Sequence, residues 1–370
     1  MRFLTAGESH GPALVGIIEG LPAGLKIDVD KINQDLTRRL AGYGRGPRAR
    51  KIEKDTVEIL SGLWEGRTLG SPLALVIENL DYKKRGGKLH PDWPAPRPGH
   101  ADLPGKIRYD FDGYAQVAER ASARTTAMTV AVGAIAKQLL KQFKVEVWSH
   151  TVSVGLVTAD VEATVGKLRR AAGDLRCLDK AAEKLMCSEI DVAKKAGTTL
   201  GGAFEVVAFG LPAGLGTYVH PDRKLDARIA SSVMSIPAVK AVEFGSAIAA
   251  SICNGQIAHD ELLPDGNRSY LRESNIAGGL EGGITNGENI CVTGFVKPIS
   301  TQKAGLHSVN MKTGKAVKAD YVRSDTCVVP AAGVIGEAVV AWELATELQS
   351  VLGDVPLKQM KLRYRNMVKK

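Results

Sequence analysis

Arg38 to Lys51 reads RRLAGYGRGPRARK, and six of its fourteen residues are Arg or Lys with no acid among them. Gly42, Gly44 and Gly46 break any helix that enters the stretch. Spaced arginines on a glycine-rich turn suit a compact ligand with several negative groups, because a guanidinium grips carboxylate or phosphate through two parallel hydrogen bonds. A long RNA backbone also asks for positive charge, and a solvated basic loop is the bland alternative. Two histidines add proton chemistry. His10 lies in Gly7-Glu-Ser-His-Gly-Pro12, where it can exchange a proton near neutral pH or serve as a capping or core residue. His100, in Arg97-Pro-Gly-His-Ala-Asp102, has a cation and an acid close by, which suits anion binding with proton transfer or simply a rigid turn. Ser122-Ala-Arg-Thr-Thr126 offers hydroxyls, amides and Arg124 at a helix start, the place for a phosphate or carboxylate, though capping alone accounts for the Ser and Thr. Arg323-Ser-Asp325 sets a base beside a cation, or makes a surface ion pair. Together these describe an anion site with two histidines and an aspartate, fit for acid–base chemistry on a small phosphorylated acid; phosphate hydrolysis and RNA binding stay open at this level.

Composition narrows the field. The net charge is +9 and the pI about 9.2, which favours anionic partners. Aromatics make up only 5% of residues, too few for a nucleic-acid stacking platform. The five cysteines are scattered and form no CxxC, as expected of reduced thiols in a cytoplasmic protein. No metal-ligand spacing, GxGxxG or GxxxxGK[ST] pattern occurs. The start, MRFLTAGESHG, has no apolar signal region, and no long uncharged apolar run points to a membrane.

These residues need elements to hold them. Leu14–Glu19 reads as a strand closed by Gly20-Leu-Pro-Ala-Gly. Asp28 to Leu40 reads as a helix with Ile32, Leu36 and Leu40 on one face, delivering Arg38 and Arg39 to the arginine stretch. Ile52–Leu60 and Pro72–Ile77 are strands. Lys83 to Tyr109 carries five prolines and is expected to be a long loop, part of which covers a ligand. Val117 to Phe143 is expected to be one long helix burying Ala127, Val130, Ala134 and Leu139, with Gly133 admitting another helix. Glu146–Val157 reads as a strand, Asp160–Ala172 and Ile190–Lys195 as helices, and Asp174–Cys187 as a surface insertion. Ala241–Ala249 and Ile290–Val296 read as strands, Gly333–Leu348 as an amphipathic helix, and the tail from Lys358 as peripheral.

The string Gly20-Leu-Pro-Ala-Gly-Leu25 recurs as Gly210-Leu-Pro-Ala-Gly-Leu215, each time after an apolar strand and before a helix. This predicts a single domain, 1–370, of two related halves packed face to face, roughly 1–200 and 201–350.

Several motifs then fall into one pattern. GESHG with EGLPAG, ERASARTTAMTVAVGAIAK and RSDTCVVPAAGVIGEAVVAWEL, with YGRGPR, RPGHADLPGK, GGLEGGITNG and VKPIST between them, run in order from Met1 to about Leu348. In these the chain closely resembles the chorismate synthase family. The resemblance implies an α+β fold, a layered β-α-β sandwich with two pseudo-symmetric halves, assembled as a homotetramer. It implies conversion of 5-enolpyruvylshikimate 3-phosphate to chorismate and phosphate with reduced FMN, supplied by a separate flavin reductase or other source, and neither nucleic acid nor membrane as partner. Carried over residue by residue, it implies catalytic roles for His10, His100 and Asp325. Arg39, Arg45, Arg48, Arg97, Ser122, Arg124 and Arg323 would bind substrate. Arg45, Ser122, Ala123, Gly282, Gly283, Asn286, Lys297 and Thr301 would bind cofactor. Many relatives carry Arg-Glu-Thr where this chain has Arg124-Thr125-Thr126.

Overall fold

The structure, a computed structural model, describes residues 1–46, 48, 52–88, 90–171, 173–266, 270–321 and 324–368. Strands β1 (Arg2–Ala6), β2 (Ala13–Glu19), β3 (Val57–Ile59) and β4 (Leu73–Glu78) form an antiparallel sheet in the order β1-β2-β4-β3. Its register pairs Ala6 with Val15 and Ala13 with Glu78. Helix α1 (Val29–Leu40) is capped by the Asp28 carboxylate, which accepts from the Lys31 amide, and it buries Ile32 and Leu36. Helix α2 (Thr126–Lys141) packs against this sheet.

The same plan then repeats. Strands β5 (Glu146–Val154) and β6 (Gly202–Phe209), helix α3 (Leu225–Met234), strands β7 (Val239–Phe244) and β8 (Ile290–Val296) and helix α4 (Val329–Leu352) follow in the same sequence of types. The second sheet runs β5-β6-β8-β7, the first sheet's order position for position, with Val157–Thr158 added beside β5. The helices lie between the two sheets, so the chain is an α+β sandwich with a helical centre. The second unit therefore begins at β5 and not near residue 201. The insertion between β5 and β6, which carries the helix Lys180–Ala196, sets the second GLPAGL copy farther from the start of its unit than the first.

The repeat extends to the turns. In the first half, Thr68 Oγ1 accepts from the Leu25 amide (2.9 Å) and donates to the Pro22 carbonyl (2.6 Å). In the second, Thr285 Oγ1 accepts from Leu215 (2.9 Å) and donates to Pro212 (2.7 Å). Each threonine ends a two-stranded hairpin, Leu63–Trp64 with Arg67–Thr68 and Leu280–Glu281 with Ile284–Thr285, that clamps its GLPAG turn.

Helices α2 and α4 cross at Gly133, where a Cβ would stand 2.3 Å from the Ala338 Cα. A side chain there would force the helices apart at a cost of about 1–3 kcal/mol. Helix α4 is apolar and long enough to cross a membrane, but 89% of its most apolar window is buried between the sheets, which accounts for its composition.

Several elements depart from expectation. The long helix is broken: Ala115–Ala121 ends at Ser122, whose extended backbone (ψ 140) leads through a short 3₁₀ turn into α2. Asp174–Cys187 is not a surface insertion throughout, since Lys180–Ala196 is one helix burying Ala182, Met186, Ile190 and Ala193. Between 160 and 172 only Val165–Arg169 is helical. The tail forms a helix, Leu357–Met367, that buries Leu357 and Met360.

Candidate active site

The C-terminal ends of α1 and α3 and the N-terminal ends of α2 and α4 meet around a cavity of about 510 Å³. A more open depression of about 650 Å³ lies at the far end of β2, beside the first GLPAG turn, away from the histidines. The cavity wall from the first half is cationic. Arg39, the penultimate residue of α1, is buried, and its Nη2 donates to the Ala123 carbonyl (2.8 Å) and its Nε to Thr126 Oγ1 (3.0 Å). Arg124 is buried beside it, with Nη1 donating to Asp55 (2.6 Å) and Nε to Asn79 Oδ1 (2.8 Å). Asp55 also faces Arg39 Nη1 at 3.5 Å, so one buried carboxylate separates two buried cations. Burial lowers the Arg39 pKa first, Asp55 opposes it, and Arg124 and Arg45 lower it further. Glu53 does similar work for Arg48, accepting from Nε and Nη2 at 3.3 Å.

The helices of the second half present apolar ends to the cavity, while its loops add Lys297, Ser300, Thr301 and Asp325. Ile236, Pro237 and Ala238 follow α3, and Val328, Ala331, Ala332 and Ile335 come from the start of α4. Asp325 stands at this end and accepts from Arg45 Nη1 (2.7 Å) and from the Gly46 amide. Arg45 Nε is buried without a hydrogen-bond partner among the described residues. Cys327 is nearby, but burial pushes its thiol up to about 11, which leaves it a poor nucleophile.

The two histidines sit at different edges. His10 Nδ1 contacts Glu119 (2.9 Å) and its Nε2 faces Arg48 Nη1 (3.3 Å). His100 Nε2 meets Thr301 Oγ1 at 3.0 Å and its Nδ1 meets the Pro98 carbonyl at 3.3 Å, so Nδ1 carries the proton and Nε2 accepts from the hydroxyl. Burial lowers the His100 pKa, the Arg97 charge lowers it further, and Asp102 partly opposes this. Arg97 is clamped by Asp102 (Nε 2.8 Å, Nη2 2.9 Å) and lies over the Trp93 ring at 4.4 Å. Lys297 Nζ donates to the Gly99 carbonyl and to Ser300 Oγ, each at 2.9 Å. The segment from His90 to Asp102 thus covers one side of the cavity, as expected of part of the proline-rich stretch, although Asp102–Tyr109 is helical.

A model of the family described as chorismate synthase matches residues 1–349. The chain belongs to the chorismate synthase family. Chorismate synthase of Alkaliphilus metalliredigens is 46% identical over 375 residues, covering 99% of this chain and 98% of that protein. Chorismate synthase 1 of Bacillus anthracis is 46% identical over 370 residues, covering 95% of each. A crystal structure of chorismate synthase covers 100% of this chain and 97% of its own at a TM-score of 0.82, with 38% identity. The chain therefore has the fold of a chorismate synthase throughout.

Of the chorismate synthase site residues expected from sequence, His10, Arg39, Arg45, Arg48, Arg97, His100, Ser122, Ala123, Arg124, Lys297, Thr301 and Asp325 all line the one cavity. Gly282, Gly283 and Asn286 do not join them within this chain. They belong to the hairpin that clamps the second GLPAG turn, where the Gly283 carbonyl accepts from Thr217 and Leu225 and the Asn286 amide donates to Gly279. Arg323 lies outside the described residues. Sequence reasoning missed Glu53, Asp55, Asn79 and Glu119, which hold the arginines and His10. Its one available signal was a surplus of cations with no acid in the same stretch, since buried guanidinium groups require partners from elsewhere. Thr125 does not support Arg124: its hydroxyl donates to the Ser122 carbonyl (3.0 Å), while Asp55 is the near carboxylate to Arg124.

Proposed function

We propose that the chain forms chorismate by a 1,4-anti elimination of phosphate from 5-enolpyruvylshikimate 3-phosphate that requires reduced FMN. The observation that carries this reading is the cavity itself, with arginines from the first half facing the apolar helix ends of the second and both histidines, Lys297 and Asp325 around it. A substrate with two carboxylates and a phosphate suits the arginines, and a flat aromatic ring system suits the apolar helix ends.

The residues fit the cofactor. Lys297 and Thr301 would hold the FMN phosphate, and Arg45, Ser122 and Ala123 would border its ring; the orphaned Arg45 Nε is a buried donor suited to a ligand oxygen. Reduced FMN supplies the electron density needed to release phosphate from a ring whose C6 hydrogen is poorly acidic, and recovers it afterwards. The chain orients the reactants and keeps water out. Asp325, turned by Arg45 and the Gly46 amide, would accept the C6 proton. His10 would balance charge on its side of the cavity. His100 is neutral in the protein alone because burial and Arg97 disfavour its charge; a phosphate arriving beside it favours the charged form, and the proton then assists departure. We place the enzyme in the cytoplasm, in keeping with its five free thiols, with a separate reductase supplying reduced FMN. We also propose a homotetramer, which would cover the exposed Leu4 and Ile17 of the first sheet.

The test is anaerobic turnover with pre-reduced FMN. Chorismate and phosphate are expected in equal amounts, over many turnovers per flavin, with no net flavin oxidation, and oxidised FMN alone should give nothing. Stoichiometric consumption of reduced flavin would mean a redox enzyme, and phosphate release from an otherwise unchanged ring would mean a phosphatase.

A further inference from the structure

His10 is held from several sides by charged groups. Glu119, on the helix Ala115–Ala121, uses both carboxylate oxygens: Oε2 accepts from the His10 backbone amide (2.7 Å) and Oε1 contacts ring Nδ1 (2.9 Å). Arg48 Nη1 faces ring Nε2 at 3.3 Å, and its Nη2 is tied to the Ser9 carbonyl (2.7 Å) and Glu53 (3.3 Å). Arg85 Nη2 donates to the His10 carbonyl (3.1 Å), and the His90 ring stands 5.1 Å away. A guanidinium has no acceptor, so the Arg48 contact requires a bare Nε2, and the acceptor-only carboxylate requires a proton on Nδ1.

We propose that Glu119 is a positioning residue for His10: its carboxylate fixes the Nδ1–H tautomer and leaves Nε2, beside Arg48 on the cavity, as the acceptor. Burial works to raise the Glu119 carboxyl, but the hydrogen bonds from the His10 ring and backbone outweigh it and keep it below its usual range, so the group stays an anion. A ligand anion that draws Arg48 off Nε2 frees that nitrogen for a proton, and Glu119 balances the resulting imidazolium. A proton on Nε2 while Arg48 remains would set two donors against each other. Delivery of anionic substrate and charging of His10 are thereby coupled, and Glu119 makes the coupling possible. The catalytic consequence rests on the role proposed above for His10; the tautomer does not.

The experiment is ¹⁵N NMR of the full-length protein labelled at histidine, with His10→Ala to assign the signal. The wild type is expected to hold the Nδ1–H tautomer, and an Nε2–H tautomer there would overturn the proposal without any Glu119 variant. In Glu119→Gln one of the two accepting oxygens becomes an NH2 donor, so the backbone amide and the ring no longer each meet an acceptor of their own, and His10 should lose its fixed tautomer. The second readout is kcat for chorismate formation, expected to fall about 10- to 100-fold in Glu119→Gln, the range typical of orienting partners of a histidine. In a His10→Ala background Glu119→Gln should cost less than about two-fold, because a residue acting through His10 has nothing left to orient. An equal loss in both backgrounds would reduce Glu119 to a structural role and sink the inference. If the wild type forms no chorismate, the functional reading fails while the NMR result still decides the tautomer.

Discussion

The two halves share a sheet order, a helix plan and a threonine-clamped GLPAG turn, yet their helix ends treat the cavity between them in opposite ways. Where α1 ends, the chain places Arg39; where α3 ends, it places Ile236, Pro237 and Ala238. Before α2 stands the buried Arg124, while the first turns of α4 bring Ala331, Ala332 and Ile335. A duplicated frame thus carries a charged end and an apolar end that meet, which gives one cavity two chemistries without two folds. The strands and turns must stay alike because both halves bury a sheet in the same way. The helix ends are free to diverge because they line the cavity.

If the halves are welded mainly at one point, that point should be the most sensitive. Glu337 of α4 is fully buried and reaches into the first half, accepting from Arg38 (2.6 and 2.8 Å) and Lys137 (2.7 Å) as well as from the Ser149 amide and hydroxyl. Burial would raise its pKa, but Arg38, Lys137 and Arg176 outweigh it and hold the carboxyl far below its usual range. Glu337→Gln removes the fully buried carboxylate charge that the partly buried Arg38, Lys137 and Arg176 share, and a loss of about 3–5 kcal/mol is expected in urea unfolding. The comparison lies within the second half, where Arg228, about as exposed as Arg38, pairs with Glu343 (2.8 Å) and Glu347 (2.6 Å). Arg228→Ala should cost less, about 1–3 kcal/mol, because both carboxylates keep another donor, Glu343 the Ser232 hydroxyl and Glu347 the Gly216 amide. Equal losses would show that the contact between halves is no more important than one within a half.

The frame itself should respond symmetrically. Thr68→Val and Thr285→Val each remove an acceptor from a buried amide, Leu25 or Leu215, and keep the side-chain shape. Each should cost about 1–3 kcal/mol, and the two values should agree to within about 0.5 kcal/mol. Thermal and urea unfolding of the pair would test this. A gap above about 1 kcal/mol would mean that the second hairpin, which holds Gly282 and Gly283, has drifted from its framework role.

What was legible in the sequence follows the same division. The repeat could be read because the turn needs the same residues in both halves, and α1 and β8 announced themselves by periodicity close to their observed bounds. The boundary of the repeat could not be read, because only the turn is identical and a long insertion precedes the second copy. The break at Ser122 was hidden as well: alanine-rich sequence continues on both sides, and the interruption exists because Ser122 Oγ accepts from the Arg124 amide at 3.2 Å and from Ser9 Oγ at 3.0 Å. Arginines and histidines were visible as residue types. Their carboxylate partners were not, because Asp55 and Glu119 reach them across 69 and 109 positions of chain.

The smallest expected effect concerns another place where the halves touch, at the edge of the cavity. His100 of the first half accepts from Thr301 of the second at 3.0 Å, and its pKa lies below 6.5 because of burial and the Arg97 charge. Above about pH 6.5 the ring is neutral whether the chain is folded or not, and the contact is at full strength. As pH falls below that value the unfolded chain takes up the proton first. The stabilisation held by neutral His100 is therefore lost progressively as pH falls through the folded-state pKa. Lowering the pH from 7.5 to 5.5 should reduce Tm by about 1–2 °C more in the wild type than in His100→Gln, which does not titrate there. Unlike the Glu337 contacts, this link weakens under mild acid, so the segment around His100 should loosen while the contacts between the helices hold. Hydrogen exchange at the two pH values would separate them: amides of 97–101 should gain exchange on acidification beyond the intrinsic change, and those around Glu337 should not. Parallel loosening of both regions would mean that the halves open as one unit and that the mouth has no stability of its own.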